Sequence, residues 1–180
     1  MATAEPEVAW IVSGAPIEFC WLSFARLIDI LTEMSTFPLV VAQYRIEGHP
    51  RRTEHWSLIA VMSKGNARAY ELAGNYDTFL YSPCEVNGFG RSQSLRGGCK
   101  VGEIQTNSLD WLATELELVE VVRNNPDFDC QTWVMNAIWL LKETATGIID
   151  SHVSERFIRE ELKMENERWE VADDTLFERM

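Results

Sequence analysis

One cysteine and one histidine, Cys130 and His55, are the residues of this sequence best suited to chemistry. Cys130 heads a predicted helix, and in a helix's first turn the unpaired N–H groups and the dipole favour a thiolate and can hold an oxyanion. Such a nucleophile needs a base that later gives a proton to the leaving group, and imidazole suits both tasks. His49 lies beside a proline in a loop and His152 starts a charged tail, whereas His55 opens a buried-looking strand. The pattern predicts Cys130 as nucleophile and His55 as general base and acid.

A third candidate, Glu71, depends on the register of a predicted hairpin. Strands are expected at 55–62 and 67–73. If Ser63-Lys64-Gly65 form a three-residue loop, so that Met62 pairs with Asn66, Glu71 shares a sheet face with His55, whereas a four-residue loop puts it on the opposite face. On the same face, a carboxylate can orient the imidazole and stabilise the imidazolium. The sequence therefore favours Glu71 as the orienting carboxylate.

Three neighbours of the pair are candidates for substrate binding. Trp56 and Trp133 flank it along the chain, and Gln131 can donate a hydrogen bond to a bound carbonyl group. Each has a structural alternative, because most tryptophans pack in cores and polar residues at a helix start usually cap it. The same holds for Cys130, since a cysteine on an apolar helical stripe is more often a small core residue.

Composition bounds the protein class. The chain has 180 residues, of which 46% are hydrophobic and 24% charged, as expected for one globular domain spanning 1–180. Its net charge of −12 argues against binding to nucleic acid or to an anionic membrane. Strand and helix patterns predict an α+β fold, with an antiparallel sheet packed against helices and a peripheral charged helical tail at 150–180.

The expected cellular location and the expected lack of cofactors both rest on motifs that the sequence does not contain. Its amino terminus has no basic leader, and its longest apolar stretch, 17–31, is interrupted by charges, so we expect no transmembrane segment and a cytoplasmic location. The four cysteines have neither C-x-x-C nor zinc-finger spacing, so we expect no metal, no cofactor and free thiols. A Cys84–Cys99 disulfide stays an alternative. The sequence sets no oligomeric state, and a homo-oligomer is compatible with it.

The other elements follow from hydrophobic spacing and turn residues. The expected elements are a strand at 8–13, a helix at 17–34, strands at 39–46 and 100–106, a long loop at 75–98 and a helix at 109–121. The glycines of that loop are expected to form turns. From Cys130, apolar residues recur at offsets of 3, 4, 7, 8 and 11, which predicts a buried helix capped by Asp127 or Asp129 and ending near Gly147.

Two motifs resemble known families. His55-Trp56-Ser57-Leu58-Ile59, followed by Ala69-Tyr70-Glu71-Leu72-Ala73, resembles the opening hairpin of the lecithin:retinol acyltransferase-like family. Asp129-Cys130-Gln131-Thr132-Trp133-Val134 resembles that family's Asn-Cys-Glu-His-Phe-Val helix start, and the Asn-Cys-x-x-Phe pattern of PPPDE-type peptidases that act on ubiquitin-like conjugates. A histidine strand before a cysteine helix is the order of the circularly permuted papain-like (NlpC/P60-related) class. The resemblance covers 53–141, about half of the chain.

The resemblance implies a thiol hydrolase or acyltransferase acting on an amide, ester or thioester of a peptide-like or small-molecule substrate, including tailoring of a small metabolite. Two positions depart from the pattern: Glu71 stands where the acyltransferases have a second histidine, and Asp129 replaces asparagine. A carboxylate beside Cys130 opposes thiolate formation, which leaves a non-catalytic binding module as the alternative. A closer resemblance is to fungal proteins that combine a His-Trp strand with a Cys-x-x-Trp-Val helix, a group that supplies a fold but no established activity.

Overall fold

A five-stranded antiparallel sheet packed against three helices forms the fold, which confirms the predicted α+β class. The computed structural model describes residues 35–47, 54–145 and 147–171. The strands are β1 (Thr36–Arg45), β2 (Glu54–Val61), β3 (Asn66–Tyr70), β4 (Leu72–Ala73), β5 (Leu80–Tyr81), β6 (Cys84–Asn87) and β7 (Leu95–Gln105). The α-helices are α1 (Leu109–Leu116), α2 (Cys130–Thr144) and α3 (Glu155–Trp169). The predicted elements at 8–13 and 17–34, and the loop at 48–52, lie outside the described residues.

The main sheet has the order β6-β3-β2-β1-β7, and β4 pairs with β5 in a separate two-stranded sheet. Strands β2 and β3 form the predicted hairpin: the Met62 N–H donates to the Asn66 carbonyl at 3.0 Å, and Val61 lies opposite Ala67. The loop therefore has three residues, as predicted. In the same register, Leu58 lies opposite Tyr70. The next position along the two strands therefore places Glu71 level with Ser57.

Strand β2 is buried on both faces. Trp56, Leu58 and Ala60 contact the larger apolar cluster, which includes the buried sides of the helices. Ile59 and Val61 contact a smaller cluster on the opposite face. Because successive residues of a strand point to opposite sides, His55 points away from the side on which Trp56 packs.

The start of α2 is fixed by Asp129, one of the two predicted caps. Its Oδ1 accepts a hydrogen bond from the Thr132 N–H at 2.7 Å and another from the Thr132 hydroxyl at 3.1 Å. The predicted stripe is confirmed, since the helix residues at those five offsets are all buried: Trp133, Val134, Ala137, Ile138 and Leu141. The helix ends at Thr144, and Gly147 follows with a left-handed φ of 93°.

The predicted loop at 75–98 is wrong in part, because β5, β6 and the first four residues of β7 lie within it. Gly97 shows why the pattern misled. Its φ is 100°, and a Cβ there would lie 2.8 Å from the Cβ of Glu165 on α3. This glycine lets a helix approach the strand closely instead of forming a turn. Gly88, with a φ of 74°, does precede a short 3₁₀ turn at Phe89–Arg91.

Three predicted boundaries also differ. Strand β1 begins at Thr36 instead of Leu39, and it includes Pro38 at a place where only β7 lies opposite. Helix α1 ends at Leu116 instead of residue 121. The strand predicted at 67–73 is broken at Glu71, whose carbonyl accepts the Ser82 N–H at 2.9 Å, because the chain leaves β2 there to pair with β5.

Helix α3 lies within the predicted charged tail and packs along β7. Ile158 and Leu162 are buried, and the Leu162 carbonyl accepts a hydrogen bond of 2.6 Å from the side-chain amide of Gln43 on β1. Among the described residues, no helix has the length and apolar character needed to cross a membrane.

Candidate active site

His55 and Cys130 come together in the structure, although 75 residues separate them in the sequence. The His55 side chain is hydrogen-bonded to the side chains of both Cys130 and Glu71. His55 is the second residue of β2 and Cys130 is the first residue of α2, so the contact forms where a strand and a helix begin. The helix start brings its N–H groups and the positive end of its dipole to the thiol.

Glu71 lies on the other side of the imidazole. Its Oε2 is 3.0 Å from His55 Nε2, as the three-residue loop predicts. The His55–Glu71 pair is partly exposed, with side-chain exposed fractions of 26% for His55 and 27% for Glu71, whereas Cys130 is buried, with an exposed fraction of 6%.

Ser57 completes this group, and the sequence reasoning missed it. Its hydroxyl donates to Glu71 Oε2 and lies 3.3 Å from His55 Nε2. Ser57 is fully buried, so its hydroxyl is held in one place. The signal was present in the sequence: Ser57 follows His55 by two, and residues two apart on a strand share a face.

The charges of the site are set by these contacts. Burial lowers the pKa of His55, but its hydrogen bonds to Cys130 and Glu71 outweigh burial and raise the pKa to about 10. Burial raises the pKa of Glu71, but hydrogen bonds from His55 and Ser57 outweigh it and the net shift is downward. At neutral pH the site therefore holds an imidazolium between a sulfur and a carboxylate.

Tyr44 backs the imidazole from the neighbouring strand. It lies opposite His55 in the β1–β2 pair, with 6.4 Å between the ring centroids. Burial, followed by the nearby charge of Glu71, raises the pKa of Tyr44 above its usual value, so the phenol stays neutral. The ring limits the positions open to the imidazole on that side.

The two tryptophans proposed for substrate binding are buried in the larger apolar cluster. Trp133 stacks on Tyr81 with 5.3 Å between ring centroids, and Trp56 has one ring face 5.1 Å from the Arg159 guanidinium carbon. Both therefore serve as packing residues beside the pair, and their role in binding substrate stays a prediction.

Gln131 is half-buried and its orientation is fixed by Arg159. The guanidinium Nη1 donates to Gln131 Oε1 at 3.2 Å. Because arginine has only donors, the oxygen end of the amide must face it, which leaves the amide NH₂ as the end available to a ligand. Gln131 is thus placed as a donor, as the sequence reasoning requires.

Arg159 was not foreseen as part of the site. From α3 it contacts Gln131, which follows Cys130, and Trp56, which follows His55, and its Nε donates to Glu155 at 2.8 Å. No pattern within residues 53–141 could have revealed it, because α3 is distant in sequence and reaches the site only through its packing.

Among the described residues, Cys84 and Cys99 are not joined to each other. Cys84 is exposed and Cys99 is buried, and the alternative of a disulfide between them is not observed. Within residues 35–47, 54–145 and 147–171, no group of three or more His, Cys, Asp or Glu side chains has the arrangement of a metal site.

Comparisons with known proteins add no family to these observations. No protein-family model matches the chain, and neither a curated protein nor a solved structure is significantly similar to it. The account of function therefore depends on the geometry of the site and on the sequence motifs.

Proposed function

We propose that the protein is a cysteine-dependent acyl-transfer enzyme, a hydrolase or a transferase, that acts on an amide, ester or thioester. The observation that carries the proposal is the position of the His55 ring, hydrogen-bonded to Cys130 and to Glu71. A nucleophile, a base and a residue that orients the base are the three parts that thiol catalysis needs.

In the proposed reaction, the Cys130 sulfur attacks the substrate carbonyl carbon and forms a carbon–sulfur bond. The carbonyl electron pair moves to oxygen, and the N–H groups at the start of α2, with the Gln131 amide, are placed to stabilise that charge. The tetrahedral intermediate then collapses, and His55 protonates the departing amine, alcohol or thiol. This leaves a thioester on Cys130.

Water or a second substrate completes the cycle. His55, now neutral, takes a proton from the attacking hydroxyl, amine or thiol, which bonds to the thioester carbon. The carbon–sulfur bond breaks and Cys130 leaves as the thiolate beside a re-formed imidazolium. Glu71 and Ser57 take no part in bond making and act by holding the imidazole in one orientation.

We also propose that the fold is a circularly permuted papain-like arrangement. The support is the chain order, in which a histidine strand precedes a cysteine helix that packs on the same antiparallel sheet. The short motifs at His55-Trp56 and at Asp129-Cys130 agree with this order. The proposed substrate is peptide-like or a small-molecule acyl compound, and it would approach from the side on which His55 and Glu71 are partly exposed.

A second candidate function is a non-catalytic binding module that keeps the same fold. The observation in its favour is Asp129, a buried carboxylate next to Cys130 that disfavours a thiolate. The two functions differ in one property, the reactivity of the Cys130 sulfur.

The test is competitive alkylation at pH 6 with a small amount of iodoacetamide, read by peptide mass spectrometry. Cys84 is an internal control because it is exposed. Its thiol is still partly desolvated, and this effect, followed by the charges of Glu71 and Glu85, raises its pKa. We expect Cys130 to react about tenfold faster than Cys84, and the His55→Ala change to abolish the difference. Equal rates in the unaltered protein would favour the binding module.

A further inference from the structure

A second pocket, of about 570 Å³, opens where β1 ends and β7 begins. Three arginines line it: Arg45 at the end of β1, Arg91 at the end of the 3₁₀ turn, and Arg96 in β7. Trp169 and Glu170, at the end of α3, complete the lining. The volume is within the range of small-molecule sites, about 300–1,000 Å³. Four separate parts of the chain therefore converge on one concave surface.

The charge of this pocket is opposite to that of the whole protein. Three arginines and one glutamate line it, whereas the chain as a whole has 28 acidic and 16 basic residues. A cleft lined by one sign of charge concentrates the field and raises the local concentration of oppositely charged ligands. The overall acidity of the protein therefore does not argue against an anionic ligand here.

Within the described part of the chain, the arginines keep donors that no other residue uses. The Arg91 side chain makes no hydrogen bond or ion pair with any other described residue. Arg96 uses Nη1 to donate to the carbonyls of Gln93 and Leu95, each at 2.8 Å, which anchors the guanidinium and leaves its other N–H groups without a partner among the residues described. In the same part of the chain, the Arg45 side chain has one charged partner, the exposed Glu47 at 4.0 Å, and such a pair is weak.

We propose that this pocket binds a small organic anion, with its phosphate or carboxylate group at Arg91 and Arg96 and a flat apolar part against Trp169. Guanidinium groups bind such anions through paired N–H donors, which gives both affinity and orientation. An aromatic wall adds contact area for a ring or other planar group. The site does not include Cys130 and does not depend on the proposed acyl chemistry.

Calorimetric titration of the full chain with phenyl phosphate at low ionic strength tests the proposal. We expect saturable one-to-one binding that weakens about tenfold in Arg91→Ala, a loss of about 1.4 kcal/mol. Arg91→Ala should leave the thermal unfolding temperature unchanged, because this side chain has no partner among the described residues. The matched control is Arg156→Ala, which removes an arginine on α3 outside the pocket and should leave binding unchanged.

Further titrations separate the parts of the ligand. Trp169→Ala should lower the affinity for phenyl phosphate and leave the affinity for inorganic phosphate unchanged. A comparison of the affinities for benzoate and phenyl phosphate shows which anionic group the pocket prefers. Cys130→Ser should bind as the unaltered protein does, so a failure here is distinct from a failure of the acyl-transfer proposal. Absence of saturable binding, or equal losses in Arg91→Ala and Arg156→Ala, would overturn the inference.

Discussion

Ser57 donates its hydroxyl hydrogen to Glu71 Oε2, the same oxygen that lies 3.0 Å from His55 Nε2. The carboxylate is therefore held from β2 itself, by a buried residue two positions after the histidine that it orients. This contact links the geometry of the hairpin to the charge of the imidazole, and it can be tested apart from any substrate.

The Ser57→Ala change removes that donor and leaves the partly exposed Glu71 carboxylate with one hydrogen-bond partner fewer. We expect a loss of about 1–3 kcal/mol in the free energy of unfolding, measured with urea, and a several-fold slower alkylation of Cys130. Ser94→Ala is the matched control, because that hydroxyl is exposed and, among the described residues, bonds only to Ser92. If both variants behave alike, Ser57 has no positioning role.

The charge of Glu71 is tested by the Glu71→Gln change, which keeps the size of the side chain and one acceptor oxygen but removes the negative charge. The carboxylate is one of the groups that raise the pKa of His55 to about 10, so this pKa should fall in the variant. Titration of the His55 ring followed by NMR measures it directly. A pKa of His55 that is unchanged in Glu71→Gln would show that the carboxylate does not stabilise the imidazolium.

Stability should depend on pH through the same group. The pKa of His55 is about 10 in the folded protein and has its ordinary value of 6.5 in the unfolded chain, so the stabilising contribution of this group is complete below pH 6.5. That contribution is lost as the pH rises through 10. We expect the free energy of unfolding to fall between these pH values, and to fall less in His55→Ala, with His152→Ala as the control. An identical fall in both variants would contradict the assignment.

Asp129 is tested by the Asp129→Asn change. Asparagine caps helices as well as aspartate does, so the bond from the Thr132 N–H should persist while the negative charge beside Cys130 is removed. Because that charge disfavours a thiolate, alkylation of Cys130 near pH 6 should become several-fold faster. An alkylation rate that stays the same or falls would show that the charge of Asp129 does not disfavour the Cys130 thiolate.

The close approach of α3 to β7 gives a prediction on stability. Gly97→Ala adds a Cβ 2.8 Å from the Glu165 Cβ at a residue with a φ of 100°, so we expect a loss of about 1–3 kcal/mol in urea unfolding. Gly65→Ala is the control, since its nearest atom would be 4.0 Å away and its φ is not left-handed. Similar losses of stability in the two variants would mean that the packing of α3 on β7 does not require a glycine at position 97.

Local patterns in the sequence were sufficient for the hairpin and for the helix that begins at Cys130. The sequence allowed two registers for the hairpin, and the structure has the one in which Ser63-Lys64-Gly65 form a three-residue loop and Glu71 lies on the His55 face. Local patterns could not predict the features that depend on contacts between residues distant in sequence. The strand break at Glu71 requires a partner strand, β5, from within a segment rich in turn residues. Arg159 reaches Gln131 and Trp56 only because α3 packs along β7.

The glycines illustrate the same limit. Gly88 precedes a turn, as its type suggests, but Gly97 has a similar backbone angle inside a strand because a helix lies against it. Composition alone does not separate these two uses of glycine, since both need a residue without a Cβ. The three arginines of the second pocket are likewise separated in sequence and converge only in the fold.

The pH dependence of Cys130 alkylation, compared between the unaltered protein and His55→Ala, tests the central claim most directly. If the imidazolium of His55 stabilises a thiolate on Cys130, the pH at which the rate reaches half its maximum is lower in the unaltered protein than in His55→Ala. Two superimposable profiles would contradict the claim, because His55 would then have no influence on the sulfur to which it is hydrogen-bonded.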